Sequence, residues 1–151
     1  MSDKKERARK LFDDGFSCSQ SVFTPYAVEQ GLPEEKALKL SQVLGGGISH
    51  MGLTCGAVTG ALLVISLHFG RSQAEDLAAQ EFCRRFTELH GSINCSDLIG
   101  CSLKTSQGRE LASEHDLFDK YCTVFIEDSC RLLEEIIEEG YEKKERSKVS
   151  T

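Results

Sequence analysis

The sequence predicts an all-α fold, a single-domain antiparallel helical bundle. Three observations predict it. Apolar residues recur at three- and four-residue spacing through most of the 151 residues, which is the period of a helix face. Alternating apolar and polar runs, the mark of half-buried strands, are nearly absent. Short connections separate the periodic stretches, and this suits antiparallel neighbours. The length is that of one domain. Residues 1–151 therefore read as one unit, with its charged ends, 1–5 and 141–151, expected to fray.

The elements follow in order. Ala8, Leu11, Phe12 and Phe16 make the first apolar stripe. Ser17 is a favoured cap for a second helix that starts at Cys18 and runs through Val22, Phe23, Tyr26 and Ala27 to Gly31. Pro25 inside it predicts a kink or break near Thr24. Leu32-Pro33-Glu34-Glu35 reads as a fresh start, with proline early and acids in the first turn. That helix carries Ala37, Leu40 and Leu44 and stops at the three glycines Gly45, Gly46 and Gly47. After the glycine loop, Thr54-Cys55-Gly56-Ala57 opens an apolar helix that ends at Gly70. The stripe Ala74, Leu77, Ala78, Phe82, Phe86 and Leu89 predicts a helix from about Gln73 to His90. Asn94 to Gly100 reads as a short helical turn. Residues 102–114 are polar and poorly periodic, which predicts a surface loop with one turn at most. The last helix is predicted from about Leu117 to Gly140, with Cys122, Phe125, Ile126, Ser129, Leu133, Ile136 and Ile137 on its apolar side.

The formal net charge is −6. This argues against nucleic acid as a partner, because phosphate binding needs a concentrated basic surface. The most apolar stretch, Ala57 to Phe69, is too short to span a bilayer and includes Ser66 and His68, so no membrane span is expected. The charged start, Met1 to Arg7, lacks the apolar core of a signal peptide. The expected location is the cytoplasm.

Seven cysteines are present: Cys18, Cys55, Cys83, Cys95, Cys101, Cys122 and Cys130. An odd count in a reducing compartment points away from a disulfide scaffold and toward metal binding or thiol redox chemistry. No two form a Cys-x-x-Cys pair, which removes the thioredoxin motif, the zinc-ribbon knuckle and the c-type haem attachment site.

Three of the seven share one local setting. Ser17 precedes Cys18, Thr54 precedes Cys55 and Asn94 precedes Cys95, and Ser, Thr and Asn are favoured N-caps. Each cysteine is then expected at a helix start, beside unpaired N–H groups and the positive end of the dipole, where the thiolate is favoured. Gly56, Ala57, Gly60 and Ala61 form one small-residue face that lets a neighbouring backbone or an inorganic cofactor approach closely. Glycine inside a helix costs about 1 kcal/mol against alanine, so two of them call for a reason. Cys83, Cys122 and Cys130 read as core from their apolar positions. Cys101, six residues after Cys95, is a candidate additional ligand or resolving thiol. His50, in the loop before Cys55, is a candidate metal ligand or thiolate helper, against the plainer reading of an exposed loop histidine.

The order of these elements resembles the C-GCAxxG-C-C family, a group of redox-active proteins of about this length. The matching residues are Phe12-Asp13-Asp14-Gly15-Phe16-Ser17-Cys18, then Gly45 to Gly47 leading to Cys55-Gly56-Ala57-Val58-Thr59-Gly60, then Gly91-Ser92-Ile93-Asn94-Cys95 with Leu98-Ile99-Gly100, and finally Cys122. The resemblance covers nearly the whole chain. It implies four site cysteines, Cys18, Cys55, Cys95 and Cys122, and so moves Cys122 from core to site. A similar helical module in the split-Soret cytochromes accompanies haem and an iron–sulfur cluster. This chain has no Cys-x-x-Cys-His, so no covalently attached haem is expected.

The resulting expectation is a redox site of four cysteines that binds an iron–sulfur cluster, zinc or another thiolate-bound metal for electron transfer with a redox partner. Gly56 and Gly60 are the expected cofactor-side positions. One alternative is a metal-free thiol–disulfide protein, with Cys55 attacking and Cys18 or Cys95 resolving. Another is a helical binding or assembly module whose cysteines are structural. The long apolar last helix adds the expectation of a homodimer.

Overall fold

The structure is a computed structural model that describes residues 3–140. The eight α-helices among these residues are α1 (Asp3–Asp13), α2 (Cys18–Glu29), α3 (Glu34–Ser41), α4 (Gly56–Phe69), α5 (Gln73–His90), α6 (Cys95–Ile99), α7 (Ser106–Glu114) and α8 (Thr123–Glu139). A 3₁₀ turn, Gln42–Leu44, extends α3, and a π-helical turn, Phe118–Cys122, leads into α8. No strand occurs among the described residues; the one β-type contact is an isolated antiparallel bridge between Thr54 and Asn94. The predicted all-α class is therefore what forms. No helix among the described residues is long and apolar enough to cross a membrane. Fraying was expected over 1–5, yet α1 already begins at Asp3. Residues 1–2 and the expected frayed tail at 141–151 lie outside the described residues.

Helix α2 is the centre. Every residue from Cys18 to Ala27 is buried, and a helix buried all round must be covered by neighbours on each side. That packing carries α2 through Pro25, so the break expected near Thr24 does not occur. Two of its buried polar side chains reach α3: Ser19 Oγ donates to the Ser41 carbonyl at 2.8 Å and Gln20 Nε2 to the Leu38 carbonyl at 3.0 Å, whereas the buried Thr24 hydroxyl has no partner. These bonds dock α3 on α2. The core is completed by Val58, Val64 and Ile65 of α4, Phe82 and Phe86 of α5, and Ile126, Leu133 and Ile136 of α8.

Pair contacts give the directions. Lys4 meets Glu29 at 2.8 Å, which sets α1 antiparallel to α2. Arg85 meets Glu139 and His90 meets Asp128, both at 2.8 Å, which sets α5 antiparallel to α8. The bundle is not antiparallel throughout, however. Cys18 lies against Gly56 and Ser19 against Gly60, so α2 and α4 run side by side in one direction. Tyr26 Oη donates to Glu134 Oε2 at 2.6 Å, two turns beyond the Cys18–Cys122 contact, so α8 shares that direction. Three helices thus begin at the same end of the molecule.

Residues 102–114 differ from the expected loop. Thr105 caps α7 by accepting the Gly108 N–H at 3.0 Å, and Arg109 donates to the Leu103 carbonyl at 2.8 Å. Only Ala112 of this helix is buried, so the sequence shows almost no apolar stripe to detect.

The contact between α2 and α4 yields a prediction. A Cβ at Gly60 would sit 2.8 Å from the Ser19 carbonyl oxygen and 3.3 Å from its Cα. Gly60→Ala should lower unfolding free energy by about 1–3 kcal/mol through overpacking, even though alanine is the better helix former. Urea unfolding of the two proteins measures it, and equal or greater stability of the variant would contradict the close contact.

Candidate functional site

Four cysteines from four separate places in the chain line one cavity of about 190 Å³: Cys18, Cys55, Cys95 and Cys122. Their exposures are 7%, 3%, 6% and 5%. Phe12, Leu98, Ile99, Phe118 and Phe125 complete the walls, with Ser17, Gly46 and His50. The surroundings of the sulfurs are therefore mainly apolar.

Each sulfur is placed by a different local device. Ser17 caps α2 as expected, in a full capping box: its Oγ accepts the Gln20 N–H and its own N–H donates to Gln20 Oε1 at 2.9 Å. Cys18 is then the first helical residue. Thr54 does not cap the next helix; Cys55 itself is the N-cap and α4 starts at Gly56. Thr54 is instead occupied by its bridge to Asn94. In that bridge Cys55 N–H donates to the Ile93 carbonyl at 2.7 Å and Cys95 N–H to the Leu53 carbonyl at 2.6 Å. Two backbone bonds thus fix Cys55 and Cys95 side by side. Asn94 occupies the expected cap position of α6, but its side chain makes no capping bond. The π turn, which widens the helix locally, ends at Cys122 and places both Cys122 and Phe118 on the cavity.

The small residues serve helix packing. A Cβ at Gly56 would lie 2.6 Å from Cys18 Sγ. Neither Gly56 nor Gly60 lines the cavity; the space beside them is filled by α2. The preceding loop holds the longest run of left-handed backbone among the described residues. Gly46, Gly47, Ile48, Ser49 and His50 are successive left-handed residues, with φ of 64°, 72°, 63°, 46° and 62°. Left-handed backbone costs roughly 1–2 kcal/mol per non-glycine residue. Hydrogen bonds from Ser49, His50, Gly52 and Leu53 N–H groups back to the 43–47 carbonyls offset it.

The hydrogen bonding favours the thiolate at Cys18. The Cys122 and Cys55 thiols donate to its sulfur, and the Gly46 and Ser19 N–H groups point at it, so its pKa falls well below the ordinary thiol value despite burial. The others move the opposite way. Cys55 is raised by the bond it gives Cys18 and by burial, opposed by the Ala57 and Val58 N–H groups. Cys122 is raised by the same kind of bond and by burial. Burial, with the charge on Cys18 and then Cys101, pushes Cys95 up to about 12. The expectation put the attacking thiolate at Cys55; the hydrogen bonding favours it at Cys18.

The remaining candidates divide. His50 lines the cavity. Cys101 is half-buried near Cys95 but outside the lining. Cys130 is fully buried in the core, and Cys83 is half-buried on α5. Among the described residues, no three His, Cys, Asp or Glu side chains are gathered tightly enough to hold a single metal ion. Sequence reasoning missed Phe12 and Phe118 as walls and Gly46 as a donor to Cys18, although the three glycines marked the place.

Comparison with known proteins agrees with the motif. The profile of a family described as "Putative redox-active protein (C_GCAxxG_C_C)" matches residues 16–136. A protein of Archaeoglobus fulgidus, described as an uncharacterized protein, is 28% identical over 109 residues, covering 62% of this chain and 72% of that one. No solved structure matches the chain.

The buried thiols predict a pH dependence. The folded value of Cys95, about 12, lies above its ordinary value of 9.0. Folding therefore holds its proton, and the contribution is complete below pH 9 and lost as pH rises toward 12. The loss reaches about 1.4 kcal/mol per pH unit for one such thiol. Urea unfolding of reduced, chelator-treated protein across that window should show stability falling, with a shallower fall in Cys95→Ala. Parallel curves would contradict the burial of this thiol.

Proposed function

This chain belongs to the C_GCAxxG_C_C family, and from that premise we propose that its four-cysteine cavity is the redox centre of an electron-transfer protein, holding an iron–sulfur cluster through Cys18, Cys55, Cys95 and Cys122. One observation carries the proposal: four buried sulfurs border a space rather than a point. A disulfide needs two sulfurs and no space between them. A single zinc ion needs its ligands drawn to one point, about 2.3 Å from each sulfur. A cluster of several irons suits four thiolates around a cavity.

When bound, such a cluster would supply reversible one-electron chemistry. The protein's own part is to hold sulfur negative and dry. Gly46 and Ser19 direct N–H groups at Cys18, and Ala57 and Val58 direct theirs at Cys55. Hydrogen bonds to cluster sulfurs are one of the means by which a protein sets potential. Phe12, Phe118 and Phe125 keep water from the sulfurs.

A second reading has its own observation. Cys18 accepts hydrogen bonds from both Cys55 and Cys122, so the sulfur best able to hold a thiolate faces two thiols. In that reading the Cys18 thiolate joins one of them as a disulfide, and two electrons and that partner's single thiol proton leave to an external acceptor.

Anaerobic purification decides between them. The cluster reading expects iron and acid-labile sulfide in the protein with visible charge-transfer absorption. Cys→Ser at 18, 55, 95 or 122 should lower the iron content several-fold, while Cys83→Ser leaves it unchanged. Metal-free protein that loses two hydrogen masses on mild oxidation, mapped to Cys18, would replace it with the disulfide reading.

A further inference from the structure

His50 is the most exposed residue of the cavity lining. Of the residues that line it, His50 alone is exposed. The same side chain also borders an open surface groove, with Lys39, Gln42, Val43 and Ser49. The imidazole thus borders both the sulfur cavity and the surface groove, while Phe12, Ser17, Gly46, Leu98 and Phe118 are half-buried around the same cavity. Its position is built in. The left-handed run ends on His50, and its ring packs on Gly46, where any side chain would collide with Nδ1. Three non-glycine residues in left-handed backbone, one of them the β-branched Ile48, are an unusual expense for an ordinary surface loop.

We propose that His50 is the specificity-determining residue at the entrance of the cysteine cavity, admitting small, mainly apolar thiol-reactive ligands and excluding larger ones. The dimensions set the class. Pockets for drug-sized ligands run to roughly 300–1,000 Å³, whereas this cavity is about 190 Å³, room for a molecule of a few heavy atoms. Its apolar walls favour an uncharged one. The inference rests on the second, thiol–disulfide reading of the cavity, in which the sulfurs are free, since a cluster held by all four cysteines would fill the space; its test reads access alone.

The seven cysteines provide internal clocks. Full-length protein, reduced and chelator-treated, is alkylated in parallel with iodoacetamide and with the bulkier N-phenylmaleimide. Peptide mass spectrometry then gives the rate at each cysteine in wild type, His50→Ala and His50→Phe. Cys101, half-buried and outside the cavity, normalises the reagents, and the fully buried Cys130 reports any loosening of the fold. His50→Ala should speed maleimide labelling of Cys18 by about tenfold, a barrier change of about 1.4 kcal/mol, and iodoacetamide labelling by much less. His50→Phe, which keeps a ring in the opening, should not speed either. Equal acceleration with both reagents, no acceleration, or a rise at Cys130 in step with Cys18 would overturn the proposal. Failure of the redox reading shows separately, in iron content and oxidation mass shift.

Discussion

The contact between α2 and α4 at Gly56 and Gly60 is the constraint on which the rest depends. Cβ atoms there would strike Cys18 Sγ and the Ser19 carbonyl. Without them the two helices lie backbone against side chain and backbone against backbone, closer than any larger residue permits. They lie in the same direction, so their starts coincide, and Cys18 and Cys55 meet as a result. Helix α8 follows the same direction along α2, tied by Tyr26 to Glu134, and that brings Cys122 to the same end. The bridge of Thr54 to Asn94 then adds Cys95. Four positions spread over more than a hundred residues meet because two glycines let two helices approach.

Gathering sulfurs in an apolar place has an electrostatic consequence. Like charges suppress one another's ionisation, and burial suppresses it further. The site lowers the pKa of one sulfur, Cys18, which receives two thiol donors and two backbone N–H groups. Cys55, Cys95 and Cys122 are correspondingly raised. The titrating unit is the set rather than any one thiol. Binding of a cationic group would reverse this order, since thiolate ligation expels the protons that burial otherwise holds on the sulfurs. Metal affinity at such a site must then rise with pH.

Much of this was legible in the residues. The predicted helix from Gln73 to His90 matches α5 because its apolar stripe is regular and Ser72 and Gly91 punctuate its ends. Cys18 and Cys95 stand at helix starts because Ser17 and Asn94 favour the extended backbone that precedes one. Thr54 misled because its cap chemistry is real but its backbone is claimed by a partner forty residues away, which local pattern does not reveal. Pro25 misled for the opposite reason: burial on all sides overrides a local helix breaker. Cys122 was readable from its position only as core, and it is buried as a core residue is. What the pattern lacked was the π turn that directs it to the cavity, a departure from the very period that such reading assumes.

The irregular backbone gathers around the cavity. The non-glycine residues with left-handed φ among those described are Ile48, Ser49, His50 and Asp116. The first three lie in the loop that supplies Gly46 and His50 to the cavity, and Asp116 lies two residues before the π turn that ends at Cys122. Regular helices fix their side chains at set angles along a straight axis, and straight axes alone do not turn sulfurs from four elements toward one space. The strained turns supply the missing rotations. Strain of this kind persists only where the surrounding structure over-determines it, here the buried α2 and the hydrogen bonds that close the loop. Where local rules are broken without benefit to packing, the benefit lies in what the broken segment positions. The backbone thus points to the cavity independently of the cysteines that line it.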